Sequence, residues 1–235
     1  MIKIDPKIIK YFKGYNNNAE IIMTCLYFKF RYSLSYRDIE ELSGLRGFKI
    51  DHASIQRWVE KFTPLLDKRF RTRKHEVNSS WRMDETYIKV KGQWCYLYRA
   101  VDKYGLTIDF MLRSKRDAVA AKAFFRKAIK HHGKPLKVNV DKSGANKCAL
   151  EAINDNYPED QQIEIRQNKY LNNMIEQDHR AIKRRTKPAL GYKSFNEAKQ
   201  TIAGIEIVHM IKKGQLKNSN QNNKSNFSQF LSLIA

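Results

Sequence analysis

The amino-acid sequence predicts an α/β protein in which an all-α segment precedes a core built on a mixed sheet. Three observations support this fold class. Between residues 19 and 62, apolar side chains recur at the three- and four-residue spacing of helices. Residues 83–113 are instead rich in Tyr, Val, Ile and Trp, which favour strands. Beyond Asp117, helix-like and strand-like segments alternate, and this alternation adds parallel strands to the hairpins before it.

The first two predicted helices are defined by apolar spacing and by a capping signal. Residues 19–31 carry apolar side chains along the whole segment, which is typical of a buried helix. Ser35 begins a second helix, because Asp38 lies three residues later in a variant of the capping box. We expect Ile39 and Leu42 of that helix to face the core.

A third helix is predicted to follow a glycine-containing turn. Gly44 and Gly47 end the second helix, and Asp51 provides the next N-cap. An apolar stripe at helical spacing then contains Ile55, Trp58, Val59 and Phe62. Pro64 falls near the end of that stripe, and the residue before a proline is biased away from helix. We therefore expect the helix to end near residue 66.

Two short helices joined by such a turn are typical of a helix-turn-helix, although any small helical bundle shows a similar pattern. In a DNA-binding motif, the second helix presents polar side chains to base edges or phosphates. The candidate DNA-contacting residues are His52, Ser54, Gln56 and Arg57.

The sheet is predicted to begin after a polar, basic stretch. Gly92 and Gly105 divide the strand-forming region into three strands joined as antiparallel hairpins, at about 83–91, 94–102 and 106–113. Asp117 and Gly133 mark the two ends of the next helix. The later elements are a strand at 136–141, a helix at 144–154, a strand at 162–166, a charged helix at 170–185, and a long amphipathic helix at 194–215 capped by Ser194 with Glu197.

These elements divide the chain into five predicted segments. They are an N-terminal arm at 1–16, a helix-turn-helix domain at 17–66, a basic linker at 67–78, an α/β core at 79–215 and a polar, mobile tail at 216–235.

The chain is strongly basic, which indicates a polyanionic partner. Its 235 residues include 45 Lys and Arg against 24 Asp and Glu, a formal charge of +21. The excess is spread along the chain, so a single basic tail does not explain it. Each nucleic-acid phosphate that a protein neutralises releases a counterion and adds affinity. The alternatives are a merely basic surface and a membrane surface, the latter disfavoured because the basic residues do not gather on one amphipathic helix.

The apolar runs, the cysteine spacing and the first residues argue against membrane, disulfide-rich, zinc-ribbon and secreted proteins. No run of 18 apolar residues occurs, which disfavours a transmembrane helix. Cys25, Cys95 and Cys148 lie far apart, so neither a disulfide scaffold nor a zinc ribbon is expected. The first residues lack the apolar stretch of a signal peptide, and we therefore expect a cytoplasmic protein.

Three acidic residues are candidates for a catalytic metal site. Asp84 lies near the start of the first strand, Asp141 ends a later strand, and Glu176 lies in a basic helix. Neighbouring parallel strands can bring two carboxylates together, and Mg²⁺ prefers such oxygens with water and phosphate. Two such ions about 4 Å apart can drive phosphoryl transfer at DNA. The alternative is that Asp84 caps a turn and Asp141 starts a loop. Glu85 is expected on the opposite face of the strand, since side chains alternate.

Several stretches of the chain match a known family. They are SYRDIEEL with DHASIQRWV, WRMDETYIKVKGQWCYLYRAVD, RD with AAKAFF, the VDK that contains Asp141, KYLNNMIEQDHRAIKRR and GIEIVHMIKKGQ. The acids are separated by 141 − 84 = 57 and 176 − 141 = 35 residues, and Lys183 follows Glu176 by seven. In these features, over about residues 30–215, the chain resembles bacterial insertion-sequence transposases of the DDE type. The most similar group is the small enzymes of cointegrate-forming elements that often flank resistance genes.

The resemblance implies a ribonuclease-H-like catalytic core with two Mg²⁺ ions, for which Mn²⁺ can substitute. Asp84, Asp141 and Glu176 would be its catalytic metal ligands. Lys183 lies two helical turns after Glu176, on the same face, and would hold a phosphate beside the metals. Further DNA contacts are expected from His179, Arg180, Arg184 and Arg185, although a solvated basic face also explains these residues.

The sequence departs from the family pattern around the second acid. A Thr usually precedes that Asp, and a Pro often follows shortly after it. Here Val140 precedes Asp141, and Ser143, Gly144 and Ala145 follow. The departure concerns the local loop and leaves the carboxylate itself in place.

The implied function is a transposase that binds the terminal inverted repeats of its element and then cleaves and joins DNA. Pairing two ends requires at least two protomers, so we expect a homo-oligomer on double-stranded DNA, associated with the bacterial nucleoid. The alternatives are a DNA-binding regulator or inactive domesticated copy, and a ribonuclease-H-like nuclease without strand transfer.

Overall fold

The computed structural model describes residues 4–142, 144–188, 190–217 and 225–235 of the chain. The chain forms two compact units. The first contains Met1–His75 and Arg184–Ala235, and the second contains Glu76–Lys183. Among the described helices, none combines the length and the apolar character that crossing a membrane requires.

The helices and strands follow one another in an order close to the predicted one. In chain order they are α1 (Pro6–Ile9), α2 (Ala19–Arg31), α3 (Tyr36–Gly44), α4 (His52–Thr72), β1 (Ser80–Val90), β2 (Gln93–Asp102), β3 (Thr107–Arg113), α5 (Ala118–His132), β4 (Lys137–Asn139), α6 (Gly144–Asn154), β5 (Glu164–Arg166), α7 (Asn173–Thr186), α8 (Phe195–Lys212) and α9 (Asn226–Leu231).

The first unit is helical, and its N-terminal helices begin where the caps predict. The Ser35 hydroxyl accepts a hydrogen bond from the Asp38 backbone, and the Asp38 carboxylate accepts one from the Ser35 backbone. Ile39 is fully buried as predicted, whereas Leu42 is 39% exposed and that prediction is wrong. Ile39 and Ser43 are one helical turn apart and define the buried face of α3, so Leu42 lies on its flank.

Helix α4 extends beyond its predicted end. It contains Pro64 in its interior and ends only at Thr72, so the first part of the predicted linker is helical. A proline inside a helix costs about 3 kcal/mol. Leu66 and Phe70, which follow it, are fully buried, and burying two such side chains contributes about 3–6 kcal/mol. Packing of α4 against α8 therefore offsets the lost hydrogen bond.

Helix α8 is buried around most of its circumference, and the prediction of an amphipathic helix is wrong. Its buried residues are Ala198, Thr201, Ile202, Gly204, Ile205, Glu206, Ile207, Val208, Met210 and Ile211. It packs against α2, α4 and α9 and lies at the centre of the first unit. The segment predicted as the end of the α/β core thus belongs to the helical unit.

The C-terminal residues that the structure describes are folded. Much of the predicted polar, mobile stretch, 218–224, lies outside the described residues. Beyond it, however, α9 buries Phe230 and Leu231, and the following Leu233 and Ile234 are also buried. The Arg69 side chain of α4 donates hydrogen bonds to the carbonyls of Leu233 and Ala235. The prediction of a polar tail is therefore wrong for 225–235.

The second unit is built on one five-stranded sheet in the order β3-β2-β1-β4-β5. Strands β1, β2 and β3 are antiparallel neighbours, as predicted, whereas β4 is parallel to β1 and β5 is parallel to β4. This arrangement confirms the predicted mixed α/β core.

The length of β4 determines where the sheet has an open edge. Helices α5 and α6 contribute Phe124, Phe125 and Leu150 to the apolar core that also contains Trp81 and Met83 of β1. Strand β4 pairs only with residues 80–82 of β1. Beyond that point, the part of the chain that the structure describes provides no further strand pairing on the β4 side of β1, and polar side chains collect at this edge.

Candidate active site

Three carboxylates lie together at the open edge of β1. Asp84 and Glu85 are consecutive in β1, and Asp141 follows the end of β4. One oxygen from each residue lies within 4.8 Å of the corresponding oxygens of the other two. The structure thus brings together the first two predicted catalytic acids.

Glu85 joins this group although it was predicted to lie away from Asp84. The register of β1 with β2 is regular, with Asp84 opposite Arg99 and Glu85 opposite Tyr98, so the two side chains do leave opposite faces. Among the described residues, β4 pairs with β1 only as far as Arg82, and an oxygen of each side chain lies within 4.8 Å of an Asp141 oxygen. The alternation rule is correct for the backbone, but the separation inferred from it is wrong.

Burial and neighbouring charges raise the pKa of two of the carboxylates, Asp84 and Glu85. Burial, together with the neighbouring Glu85 charge, raises the pKa of Asp84 to about 7. Burial also raises the pKa of Glu85, against the opposing effect of the Arg116 guanidinium. One nitrogen of Arg116, Nη2, lies 2.9 Å from Asp141 Oδ2 and 3.3 Å from Glu85 Oε2. This cation partly compensates the concentrated negative charge.

The donor set fits a hard divalent cation. Asp84, Glu85 and Asp141 provide only oxygen ligands, which Mg²⁺ and Mn²⁺ accept. Two buried oxygens at the group, Glu85 Oε1 and Asn146 Oδ1, have no hydrogen-bond partner among the described residues. Buried polar atoms without partners are costly, so these two oxygens are suited to binding a cation.

His179 of α7 is buried against Asp84. Its Nδ1 lies 3.7 Å from Asp84 Oδ2, longer than a hydrogen bond, and the residue is only 3% exposed. Burial and the nearby Arg99 and Lys183 charges lower the pKa of His179 to about 3, so the ring is neutral. The structure therefore places this predicted DNA contact inside the second unit, beside a carboxylate.

Helix α7 is held at this position by buried polar contacts. Arg99, opposite Asp84 on β2, donates a 2.7 Å hydrogen bond to the Asp178 carboxylate. At the end of β4, the Asn139 amide donates to the Asn168 carbonyl and to Asn172 Oδ1, which lie in the turn before α7. These contacts fix which face of α7 meets the sheet.

Glu176 is not part of the carboxylate group in this structure. It is exposed on α7, as are Arg180, Lys183 and Arg184. Arg185 is partly buried, and its Nε donates a hydrogen bond to the Arg31 carbonyl within the first unit. Of the four predicted Lys and Arg contacts on α7, Arg180, Lys183 and Arg184 are thus accessible to DNA. Arg185 instead makes a contact within the protein.

The predicted helix-turn-helix residues lie at the start of α4. His52 Nδ1 lies 2.8 Å from a Glu40 carboxylate oxygen of α3. Arg57 is exposed and donates to the Ser54 hydroxyl. Ser54 and Gln56 are partly exposed. Arg57 is therefore the most accessible cation of this set.

Sequence reasoning missed three residues of the site: Glu85, Arg116 and Asn146. Arg116 lies in the RD motif, which carried the resemblance without suggesting a role. The departures around Asp141 also have an explanation in part, because Val140 is fully buried and Gly144 and Ala145 begin α6. Ser143 lies outside the described residues.

Comparison with known proteins finds DDE transposases both among family models and among individual relatives. A family model described as a DDE domain, of the IS240 transposase type, matches residues 78–215. The Staphylococcus aureus (strain Mu50) transposase for insertion sequence-like element IS431mec is 40% identical over 206 residues, which cover 87% of this chain and 90% of that protein. The S. aureus transposase for IS257 in transposon Tn4003 matches with the same identity and coverage.

Among solved structures, the HTLV-2 integrase catalytic core domain in complex with magnesium (trimeric form) is 20% identical. It matches with a TM-score of 0.45 and covers 69% of this chain and 100% of that one.

The DDE domain matches more than half of the chain, and the relatives at 40% identity match most of it. The chain therefore belongs to the DDE transposases of insertion sequences, a family of polynucleotidyl transferases.

Proposed function

We propose that this protein binds the terminal inverted repeats of its own insertion sequence and catalyses metal-dependent cleavage and strand transfer of those ends. The observation that carries the proposal is the close group of carboxylate oxygens from Asp84, Glu85 and Asp141. Two of these acids are those that the family pattern assigns to catalysis. The relatives, named as transposases for insertion-sequence elements, support the same function.

Asp84 and Asp141 are proposed to hold divalent metal, with Mg²⁺ the expected ion and Mn²⁺ a substitute. When bound, two such ions activate a water or a 3′-hydroxyl and stabilise the leaving oxygen. The contribution of this chain is to hold the carboxylates in position. β1 and β4 fix the backbones, and Asn146 donates a 3.3 Å hydrogen bond to Asp141 Oδ1. Positioning and charge stabilisation supply most of the catalysis in such a site.

Glu176 is proposed as the third ligand, recruited when DNA and metal are bound. Its carboxylate is exposed and lies outside the group of three. His179, three residues later on the same helix, lies against Asp84. Since residues three apart share a side of a helix, the side of α7 that carries Glu176 borders the site.

The DNA contacts are proposed to come from both units. Arg180 and Lys183 are exposed on α7 and would bind backbone phosphates near the carboxylates. Arg57, with the other candidate residues of α4, would contact the inverted repeat as part of the predicted helix-turn-helix. We further propose at least two protomers on paired ends, in the cytoplasm and at the nucleoid.

The proposal is tested by strand transfer in vitro. Labelled DNA with the ends that flank this gene is incubated with a plasmid target in Mg²⁺, in Mn²⁺ or in EDTA. Joined products should require metal. Glu176→Gln should reduce joining about a thousandfold while end binding stays within about twofold. Glu151→Gln changes an exposed acid of α6 in the same way and should leave joining intact.

Two outcomes would contradict this function. Tight binding to the ends with neither cutting nor joining in either metal would indicate a regulator or an inactive copy. Metal-dependent cutting without joined products would indicate a nuclease.

A further inference from the structure

Glu85 is a buried acid that the family triad does not include. Its side chain is 3% exposed, and its Oε2 lies 3.3 Å from Arg116. Its other oxygen, Oε1, is buried and has no hydrogen-bond partner among the described residues. A buried carboxylate is expensive unless a cation or hydrogen-bond donors compensate its charge. Half of this carboxylate is therefore available to a further ligand.

Arg116 places a single positive charge between two members of the group. It lies between the end of β3 and Asp117, the N-cap of α5. The same nitrogen contacts Asp141 at 2.9 Å and Glu85 at 3.3 Å. A single cation shared by two carboxylates has the charge arrangement that a metal ion would also produce.

Asn146 provides a second indication of a ligand, from a buried amide beside the acidic side chains. It is fully buried in the first turn of α6, and its amide nitrogen lies 3.3 Å from Asp141 Oδ1. Its side-chain oxygen has no hydrogen-bond partner among the described residues. An amide held against a carboxylate, with an unused buried oxygen, adds to the hard oxygen donors at the site.

We propose that Arg116 is an internal counter-ion of the carboxylate group, that Glu85 is an additional oxygen donor there, and that a divalent cation competes with Arg116 for Asp141. This inference rests on the metal-dependent function proposed above. Before metal binds, the guanidinium keeps the acids assembled against their mutual repulsion. Metal binding must then displace this contact, so Arg116 lowers the affinity for metal.

The size of the effect follows from Coulomb's law. A single charge about 5 Å from a divalent ion, screened as in water, changes the affinity of that ion about tenfold. Arg116→Met keeps the length of the side chain and removes its charge. The variant should therefore bind Mn²⁺ about tenfold more tightly than the wild type. Without metal, the variant should unfold at a lower temperature than the wild type. Added Mn²⁺ should raise its unfolding temperature and remove this difference.

The experiment titrates the full-length protein with Mn²⁺ by isothermal calorimetry and follows thermal unfolding with and without Mn²⁺. Arg113→Met is the matched control, since Arg113 is exposed at the end of β3. It should bind Mn²⁺ as the wild type does. Arg116→Lys retains the charge and should stay close to the wild type.

Each outcome decides the proposal. Tighter binding by Arg116→Met alone supports it, as does a variant that folds only with Mn²⁺ present. Equal or weaker binding, or a variant that stays unfolded in Mn²⁺, overturns it and leaves Arg116 as a structural contact. A wild type that binds no Mn²⁺ instead contradicts the proposed metal-dependent function, which separates the two failures.

Discussion

Among the glycines that the structure describes, Gly204 of α8 is the one where an added methyl group makes the shortest contact. A Cβ added there would lie 2.3–2.4 Å from three ring carbons of Phe30 in α2. Carbon atoms in contact lie about 3.5–4.0 Å apart, so the Phe30 ring would have to move by more than 1 Å. Phe30 is 1% exposed and packs edge-on against Phe230 of α9, which limits that movement.

The two opposing contributions of Gly204→Ala can be compared. Alanine favours a helix interior over glycine by about 1 kcal/mol. Overpacking a closed core costs about 1–3 kcal/mol, and a contact this short belongs at the upper end. We therefore expect a net loss of about 2 kcal/mol in the stability of the first unit. Gly44→Ala is the control, because a Cβ at this α3 position meets nothing within 4 Å, and it should be neutral or slightly stabilising.

Hydrogen exchange with mass spectrometry reports the effect for each unit separately. In Gly204→Ala, peptides of α2 and α8 should exchange about tenfold or more faster, while peptides of β1 and β2 change little. Replacing Phe30 with Leu in the same variant should recover part of the protection, since the smaller side chain makes room. Unchanged or slower exchange in Gly204→Ala would refute the claim that this approach requires glycine.

Two further predictions concern the ion pair between Arg99 and Asp178 and the proposed DNA contact of Arg57. Asp178→Ala removes a carboxylate partner of Arg99, whose side chain is fully buried. It should cost about 3–5 kcal/mol of stability in the second unit, measured by urea unfolding, and a loss below about 1 kcal/mol would contradict this expectation. Arg57→Ala should weaken binding to element ends and reduce the slope of log affinity against log salt by about one, whereas an unchanged slope would remove Arg57 from the phosphate contacts.

Local signals in the sequence predicted most elements correctly. The Ser35 capping box, the Asp51 and Asp117 N-caps and the Ser194 cap are all present in the structure. Gly92 and Gly105 lie in the two hairpin turns with positive φ, as the division into three strands requires. These features succeed because each depends on residues within about four positions of one another.

The failures occur where packing outweighs a local preference. Pro64 does not end α4, because Leu66 and Phe70 bury their side chains when the helix continues. The polar residues before α9 suggested a mobile tail, but the apolar residues that follow are buried within the first unit. In both cases a local rule was applied to a segment whose stability comes from distant partners.

The sequence by itself determined the family, the caps, the order of strands and helices, and two of the acids that meet at the site. Only the tertiary structure decided that α8 belongs to the helical unit and that Glu85 and Arg116 join Asp84 and Asp141. The physical reason is the range of the interactions. Caps and turns are completed by near neighbours in the chain, whereas the site joins β1 to Asp141, which lies 141 − 84 = 57 residues after Asp84.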